Sequence, residues 1–372
     1  MVYIGVDLHR KKSQVAAIDQ DGKLALNRKV RTGPAELQQL FDELRPQPIE
    51  VAFEATFGWG WFADLLAELG IPAHMAHPLA TKAISSARVK NDAVDAKTLA
   101  HLLRTNLLPE GWIAPPDVRE SRRLVRMRAA LVRVRAKLKA QIHALLGEHG
   151  IQPDVVDLFS NRGRELLGQF ELPAISQSRL QACLRLIDEV SLEIVIAERE
   201  IQQKIKDDKR LERLLPIPGI GPIIAATILS EIGDVTRFAS ADKLCAWAGL
   251  TPSEHSSADH LRRGHISKQG SRWLRWAWSR LLSTLFATSN SDSSSSGSRA
   301  GAGPRSPASL WRDGCSRSST TRFAARLAVG AIRSLRIQRS RRARWLSWPL
   351  TETAGNLIEP SGPNHTMDIR SE

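Results

Sequence analysis

The chain has 372 residues, 42% of them hydrophobic, and a formal net charge of +14 at pH 7. The hydrophobic content is enough for packed cores, which argues against a globally disordered chain, and the length suits two or three domains of ~100–200 residues. Such a cationic excess indicates an anionic partner, most commonly a nucleic-acid backbone, with a membrane surface as the rival explanation. No run approaches the ~18–20 apolar residues of a membrane span, so we expect no membrane association.

The start of the chain and its cysteines predict the compartment. The first residues read as a β-strand and not as a secretory signal. Three cysteines, Cys183, Cys245 and Cys315, have no paired spacing, which argues against a disulfide framework or a zinc ribbon. These features together predict a protein of the reducing cytoplasm.

Residues 1–115 are predicted to form an α/β domain. Alternating and β-branched patterns predict five strands, at residues 2–8, 12–19, 23–32, 49–55 and 71–77. Helical periodicity predicts three helices, one after Gly33-Pro34, one at 61–69 and one from about 79 to 107. The order of three strands, helix, strand, helix, strand, helix is typical of a ribonuclease-H-like fold with a five-stranded mixed sheet.

Four acidic residues make this domain a candidate metal-dependent enzyme. Asp7 interrupts the apolar first strand and Glu54 lies at the end of the fourth. Asp92 and Asp95 are three residues apart on the last helix, so they share one face. Each acid taken alone could be a strand-end or solvated residue. Since the first and fourth strands are neighbours in this fold, the four carboxylates together could hold two Mg²⁺ ions ~3.5–4 Å apart for phosphoryl transfer.

Three segments around these acids resemble a known family. Residues 4–9 (IGVDLH), 53–56 (FEAT) and 90–97 (KNDAVDAK) are similar to the RuvC-like domain of IS110-type insertion-sequence transposases. The resemblance implies a DEDD recombinase whose quartet is Asp7, Glu54, Asp92 and Asp95, and an element-encoded bridge RNA that selects the DNA sites. Three nearby basic residues are either phosphate contacts or solvated surface: His9, Lys90 and Lys97.

Residues 116–208 are predicted to be helical, with long helices at 118–146 and 177–207. Apolar residues three and four apart predict a packed seam, such as Met127, Val134 and Ile142, with basic residues on the other faces. One interpretation is a helical hairpin with a solvated charged surface; the other is a dimerising arm whose basic face binds nucleic acid. The family resemblance implies a coiled coil, which favours the arm and a homodimer or tetramer. The candidate nucleic-acid contacts here are Arg122, Arg126 and Arg133.

Residues 209–285 are predicted to form a mostly helical transposase domain. Gly219 and Gly221 precede an apolar helix at 223–232. This turn resembles a helix-hairpin-helix element, in which glycines let backbone amides approach a phosphate. The same turn also occurs in plain helix packing, so both interpretations stay open.

The polar stretch from 251 to 275 resembles the C-terminal transposase domain of the same family. The resemblance implies that Ser257 is the nucleophile that attacks a DNA phosphate, once a base or metal has activated it. The residue after it is Ala258, where the family usually has glycine, and Ser256 is the neighbouring alternative. Apart from the resemblance, a serine here could simply cap a turn. The basic residues predicted to hold phosphates are Arg262, Arg263, Lys268, Arg272 and Arg275.

Residues 286–372 form a low-complexity tail that has no lysine. Either this tail is disordered and binds nucleic acid, or translation runs in a shifted frame from about residue 279. We favour the shifted frame, because GC-rich DNA read out of frame yields the Arg, Ser, Ala and Gly seen here. The family resemblance accordingly covers about residues 2–280.

Together these features predict a DNA recombinase of an insertion sequence. It would cleave and rejoin DNA at the element ends and the target, guided by a bridge RNA, with a serine nucleophile and two Mg²⁺ ions. Two rivals share parts of this prediction. A hydrolytic nuclease or junction resolvase would use the same carboxylates with water attacking, and an inactive remnant would only bind nucleic acid.

Overall fold

The computed structural model of the protein describes residues 1–56, 58–84, 92–257 and 260–281, and for 254–263 it describes the backbone alone. The predicted tail, 286–372, therefore lies outside the described residues. The predicted domain boundaries at 115/116, 208/209 and 285/286 stay predictions.

The N-terminal domain is built on one mixed sheet with the order β3-β2-β1-β4-β5-β6. Strands β1, β4 and β5 are parallel to one another, whereas β2, β3 and β6 join antiparallel. The prediction of five strands was wrong by one, because β6 has only two residues and so leaves no alternating pattern. The strands are Val2–Asp7 (β1), Lys12–Ile18 (β2), Leu24–Arg31 (β3), Ile49–Glu54 (β4), Ala73–Ala76 (β5) and Glu110–Gly111 (β6).

Helices cover both faces of this sheet. Helices α1 (Pro34–Leu44) and α2 (Trp59–Glu68) pack on one face with the alternating apolar residues of β1. Helix α4 (Asp92–Arg104) covers the other face through Leu99 and Leu103. The single helix predicted from about 79 to 107 is described as α3 (Pro78–Ile84) and α4, and the intervening 85–91 lie outside the described residues.

A glycine in β1 sets how closely α4 approaches the sheet. A Cβ placed on Gly5 would lie 1.9 Å from the carbonyl oxygen of Ala96 and 2.7 Å from the amide nitrogen of Ala100. Both obstacles are helix backbone, which cannot rotate away as a side chain can. The absence of a side chain at Gly5 therefore fixes the distance between β1 and α4, the two elements that carry Asp7 and Asp92.

The middle of the chain forms an antiparallel helical hairpin. Helix α5 (Pro116–Glu148) and helix α7 (Ala174–Ile205) pack along each other, with α6 (Asn161–Gln169) between them in sequence. Side-chain pairs run in opposite directions along them: Glu148 with Arg179, Arg135 with Ser191, Arg128 with Glu198, and Glu120 with Lys204. Among the helices in the described part of the chain, none combines the length and apolarity that crossing a bilayer requires.

The seam of this hairpin differs in part from the predicted one. Ile142 is fully buried as expected, but Met127 and Val134 remain 47% and 48% exposed, and Val125 is buried instead. A long straight helix has more than one apolar stripe, and periodicity alone does not say which stripe meets the partner. The partner found here is a helix of the same chain, and the coiled coil between chains stays a prediction.

The C-terminal domain is helical around one short β-hairpin. Residues 272–281 are helical (α11), and its Leu274 and Trp278 are buried against Ile228 of α9. The hairpin was not predicted, because its strands are polar and lack an apolar face. The remaining elements are α8 (Leu211–Leu214), α9 (Pro222–Ile232), α10 (Ala241–Trp247), β7 (Pro252–Ser257) and β8 (His260–Ile266).

Arginines on one face of α5 join the three parts of the chain. Arg119, 8% exposed, donates to the carbonyl oxygen of Gly60 at 2.6 Å and pairs with Asp64, so it fastens α5 to α2. Arg122 donates to the carbonyl oxygens of Ser230 and Glu231, both at 2.8 Å, at the end of α9.

The carboxylate of Glu231 completes this joint. It is 3% exposed, and its Oε1 accepts from Arg126 at 2.7 and 3.1 Å. Its Oε2 accepts from the hydroxyl of Ser271 at 2.9 Å, and that hydroxyl in turn accepts from the amide of Leu274 near the start of α11. One buried carboxylate therefore links α5, α9 and α11.

We expect Gly5→Ala to destabilise the protein by about 1–3 kcal/mol or more, because overpacking against backbone forces α4 to move. The measurement is the free energy of unfolding from urea denaturation. Gly147→Ala is the matched control, since a Cβ there meets nothing within 4 Å and helix propensity favours alanine. Equal stability of the two variants would contradict the close approach.

We expect Glu231→Ala to cost about 2–4 kcal/mol of unfolding free energy, because it leaves the hydrogen-bonding groups of Arg126 and Ser271 without their acceptor. Glu231→Gln keeps an acceptor oxygen, so its loss should be clearly smaller. Glu193→Ala, on the exposed surface of α7, should change stability by less than ~0.5 kcal/mol. A Glu231→Ala variant as stable as Glu193→Ala would show that this joint does not hold the helices together.

Candidate metal centre and nucleic-acid contacts

Two of the predicted acids lie at the same edge of the sheet. Asp7 ends β1 and Glu54 ends β4, and these strands are parallel with Val6 opposite Phe53. The chain just beyond is held by the hydroxyl of Thr56, which donates to the carbonyl oxygen of Leu8 at 3.0 Å. The parallel register therefore brings Asp7 and Glu54, 47 positions apart in the sequence, to neighbouring strand ends.

A cluster of possible metal ligands lies at this edge. It consists of Asp7, His9 and Asp92, whose ligand atoms all lie within 4.8 Å of one another. The Nε2 of His9 is 3.1 Å from Asp7 Oδ2 and 3.6 Å from Asp92 Oδ1. On the outer side, the Nζ of Lys29 lies 3.1 Å from Asp92 Oδ2. Asp7 is buried at 7% exposure, whereas the side chain of Asp92 is 44% exposed.

The electrostatics of the cluster differ between its two acids. Burial raises the pKa of Asp7, and the negative charges of Asp92 and Asp95 act in the same direction while His9 opposes them. The hydrogen bond from Lys29 lowers the pKa of Asp92. Burial, together with two nearby carboxylates, therefore disfavours the charged form of Asp7, which a bound cation would stabilise. Carboxylate oxygens are the ligands that Mg²⁺ and Mn²⁺ prefer, so these residues fit a divalent metal.

The other two predicted acids are near this cluster but outside it. Asp95 lies one turn after Asp92 on α4, and its charge acts on the pKa of Asp7. Glu54 occupies the neighbouring strand end. Whether all four bind metal stays a prediction.

Two basic residues, His9 and Lys29, contact the acids of the cluster, and the sequence analysis did not predict these contacts. His9 was considered as a phosphate contact or a solvated surface residue, yet it lies between the two acids. Lys29 was not considered at all. Strand register could have indicated it, because Asp7 lies opposite Gln14 and Gln14 lies opposite Lys29 in one row across the sheet. Lys97 is exposed on α4, and Lys90 lies outside the described residues.

The arginines predicted to bind nucleic acid on α5 fall into two groups. Arg122 and Arg126 both contact α9, as described above, and their binding of nucleic acid stays a prediction. Burial lowers the pKa of Arg122. Its side chain is held in position by hydrogen bonds to the carbonyl oxygens of Ser230 and Glu231. Arg133 is exposed, and its Nε makes only a long contact, 3.4 Å, to Ala129 of its own helix.

The predicted C-terminal contacts are placed on three different elements. Gly219 has a φ of 89° and Gly221 directly precedes α9, so the glycine turn begins a buried helix. Lys268 is exposed with a φ of 55°. Arg272 is exposed at the start of α11. Their phosphate binding stays a prediction.

The predicted nucleophile lies in the β7–β8 hairpin. Ser257 pairs with His260 as the last pair before the turn, and Ser256 pairs with Leu261. The side chains of Ser256, Ser257, Arg262 and Arg263 lie outside the described residues, as does Ala258.

The glycine-punctuated segment after the hairpin is packed against α10. A Cβ on Gly270, whose φ is 117°, would lie 1.9 Å from the carbonyl oxygen of Trp247. Gly270 is thus required by backbone packing and by its own conformation. Arg275, one of the predicted phosphate contacts, donates to the carbonyl oxygens of Ala248 at 2.8 Å and Gly270 at 3.1 Å, and therefore also has a structural role.

Comparison with known proteins agrees with this arrangement. Residues 4–151 match a family model of DEDD transposases. Residues 211–295 match the family described as "Transposase IS116/IS110/IS902 family". This second match runs past residue 280, at which the resemblance was expected to stop.

Relatives that match about three quarters of the chain are also named transposases. A "Probable family 20 transposase" of Pseudomonas aeruginosa is 29% identical over 282 residues, which cover 73% of this chain and 80% of the relative. The "Transposase for insertion sequence element IS1328" of Yersinia enterocolitica is 28% identical, covering 73% and 80%. The "Transposase for insertion sequence element IS1111A" of Coxiella burnetii is 27% identical, covering 73% and 74%.

The N-terminal domain carries an acid cluster and matches the DEDD family model, and a basic helical hairpin joins it to a C-terminal domain that matches a second transposase model. These features define the class of protein: a transposase, which binds and cleaves DNA. The chain belongs to the IS116/IS110/IS902 family of transposases. Its N-terminal part is the DEDD transposase domain of that family.

We expect Lys29→Met to raise the affinity for Mn²⁺ by a few-fold to ~tenfold, because it removes a positive charge that competes for Asp92. Calorimetric titration of the purified protein measures this without any DNA. Lys206→Met, exposed at the end of α7, removes the same charge far along the chain from the cluster and should change nothing. Unchanged or weaker binding in Lys29→Met would show that Lys29 does not compete with the metal.

Proposed function

We propose that this transposase cleaves and rejoins DNA strands at the ends of its insertion sequence and at the target, by attack of a serine that metal-binding carboxylates assist. The observation that carries the proposal is the approach of Asp7 and Asp92 within one cluster of possible ligands. Lys29 contacts only the outer acid, Asp92, and the buried Asp7 beside it would be stabilised further by a bound cation.

The metal site would consist of the DEDD quartet in a ribonuclease-H-like domain. Asp7 and Asp92 would bind the metal directly, and Glu54 and Asp95 would complete the site for two Mg²⁺ ions. When bound, such ions stabilise the negative charge that develops on a phosphate under attack. The ammonium group of Lys29 would then leave Asp92 and pair with a DNA phosphate instead, since it lies beside the cluster.

The serine step would conserve the energy of the phosphodiester bond. The hydroxyl oxygen of Ser257 forms a bond to phosphorus, its proton goes to a base, and the bond from phosphorus to the leaving sugar oxygen breaks. The product is a phosphoserine linkage to one DNA end, with a free hydroxyl on the other. Reversal of the same step with a different DNA hydroxyl rejoins the strands and frees the serine.

Three further parts of the proposal concern partners and location. The net charge of +14 supports a second polyanion beside DNA, which we take to be the element-encoded guide RNA. The exposed apolar residues of the hairpin, Met127 and Val134 on α5 and Leu192 on α7, support assembly into a dimer or tetramer. We expect the protein to act in the cytoplasm, where the DNA of its element lies.

The test is to express the protein together with its complete flanking element, lyse the cells under denaturing conditions, and measure element DNA that is covalently attached to the protein. We expect an adduct that Ser257→Ala and Asp7→Asn both abolish. Ser253→Ala, a change of the same kind on the same strand, is the matched control and should leave the adduct intact.

Other outcomes separate the rival functions. An adduct that persists in Ser257→Ala but disappears in Ser256→Ala would move the nucleophile by one residue. Cut DNA without any adduct would indicate a hydrolytic nuclease. If there is neither cutting nor an adduct, the experiment is repeated with a tail restored to the alternative reading frame, and a second failure would leave a remnant that only binds nucleic acid.

A further inference from the structure

An exposed patch of arginine and tryptophan spans α5 and α11. Trp273 lies at its centre, with guanidinium carbons at 5.0 Å (Arg272), 5.7 Å (Arg133) and 6.0 Å (Arg126) from its ring centroid. Trp276 lies one turn further on α11 and is 38% exposed. Sequence analysis proposed the three arginines separately and did not consider either tryptophan.

The charges of this patch are not balanced within the protein. Arg126 shares the buried carboxylate of Glu231. Arg133 and Arg272 are both exposed, and neither forms an ion pair with a carboxylate in the part of the chain that the structure describes. Cation–π contact with the indole holds guanidiniums near each other in spite of their repulsion. Two uncompensated positive charges beside a partly exposed indole make a site that an anion would stabilise.

The patch is also held rigidly. Arg126 is fixed by Glu231, and Ser271, directly before α11, donates its hydroxyl to the same carboxylate. The relative placement of Arg133 on α5 and Trp273 on α11 is therefore set by a buried contact beneath them. Such preorganisation lowers the entropic cost of binding a ligand.

We propose that this patch binds single-stranded nucleic acid, with Arg133 and Arg272 on its phosphates and a base stacked on Trp273 or Trp276. The proposal rests on the proposed nucleic-acid function and names the form of nucleic acid that this surface takes. A duplex offers phosphates but keeps the faces of its bases within its own stack, whereas a single strand offers both phosphates and an open base. Indole beside guanidinium matches that combination.

The test measures binding of a short fluorescein-labelled single-stranded DNA, and of the duplex of the same sequence, to the full chain in EDTA. We expect Trp273→Leu to weaken single-strand binding roughly 5- to 100-fold, the range for loss of one stacked base. Duplex binding should change much less. Trp273→Phe keeps a stacking ring and should retain most of the affinity.

The arginines should show a different signature. Arg133→Gln is expected to lower the slope of log affinity against log salt by ~0.7, the value for one phosphate contact of a single strand, whereas Trp273→Leu should leave that slope unchanged. Arg185→Gln, an exposed arginine towards the far end of the hairpin, is the matched control for charge and should leave both measures unchanged.

Equal loss of single-strand and duplex binding in a Trp273→Leu variant whose thermal unfolding matches the wild type, or no loss in either, would overturn the proposal. Equal weakening in Trp273→Phe and Trp273→Leu would also overturn it, because stacking would then not be the cause. EDTA prevents metal-dependent cleavage, so failure of the catalytic proposal does not affect this result. A wild-type chain that binds no nucleic acid at all would instead contradict the proposed function.

Discussion

The carboxylate of Glu231 is the contact on which the arrangement of the C-terminal half depends. It accepts from Arg126 of α5 and from Ser271 at the start of α11, and it belongs to α9 itself. Arg119, two turns earlier on α5, fastens the same helix to the catalytic domain. A buried acid requires such donors, and these donors come from separate segments, so satisfying one charge fixes three helices.

The acid cluster also depends on the groups around it. The Nε2 of His9 lies 3.1 Å from Asp7, and the ammonium group of Lys29 lies 3.1 Å from Asp92 and offsets part of the repulsion between the carboxylates. Because Asp92 is half-exposed while Asp7 is buried, the outer side of the cluster can exchange partners more easily than the inner side. The close packing of α4 on Gly5 fixes the position of Asp92 relative to Asp7.

Sequence patterns predicted the regular parts of the fold and missed what depends on tertiary context. Strands β1 to β5 of the N-terminal sheet and the long helices α5 and α7 follow from periodicity, and they begin and end within a few residues of the predicted positions. The two-residue β6 and the polar hairpin β7–β8 have no such periodicity. Basic residues were predicted on the faces of α5 opposite its apolar seam, but periodicity cannot say whether such a face meets solvent, Glu231 or α7. The acids Asp7 and Asp92 were predicted as partners, whereas Lys29 required the strand register.

Because α5 is attached to both domains only in its first half, a small tilt of the hairpin would be a large displacement at its far end. Its attachments to the two domains run from Arg119 to the contact of Arg133 with Trp273, while the helix continues to Glu148, a further ~22 Å at 1.5 Å per residue. A tilt of ~10° at the joint would move the far end by roughly 4 Å. Because the same short stretch holds both the catalytic domain and α9, such a tilt would reach both at once. A partner that binds the far end of the hairpin and tilts it would therefore change the position of the acid cluster relative to the C-terminal domain.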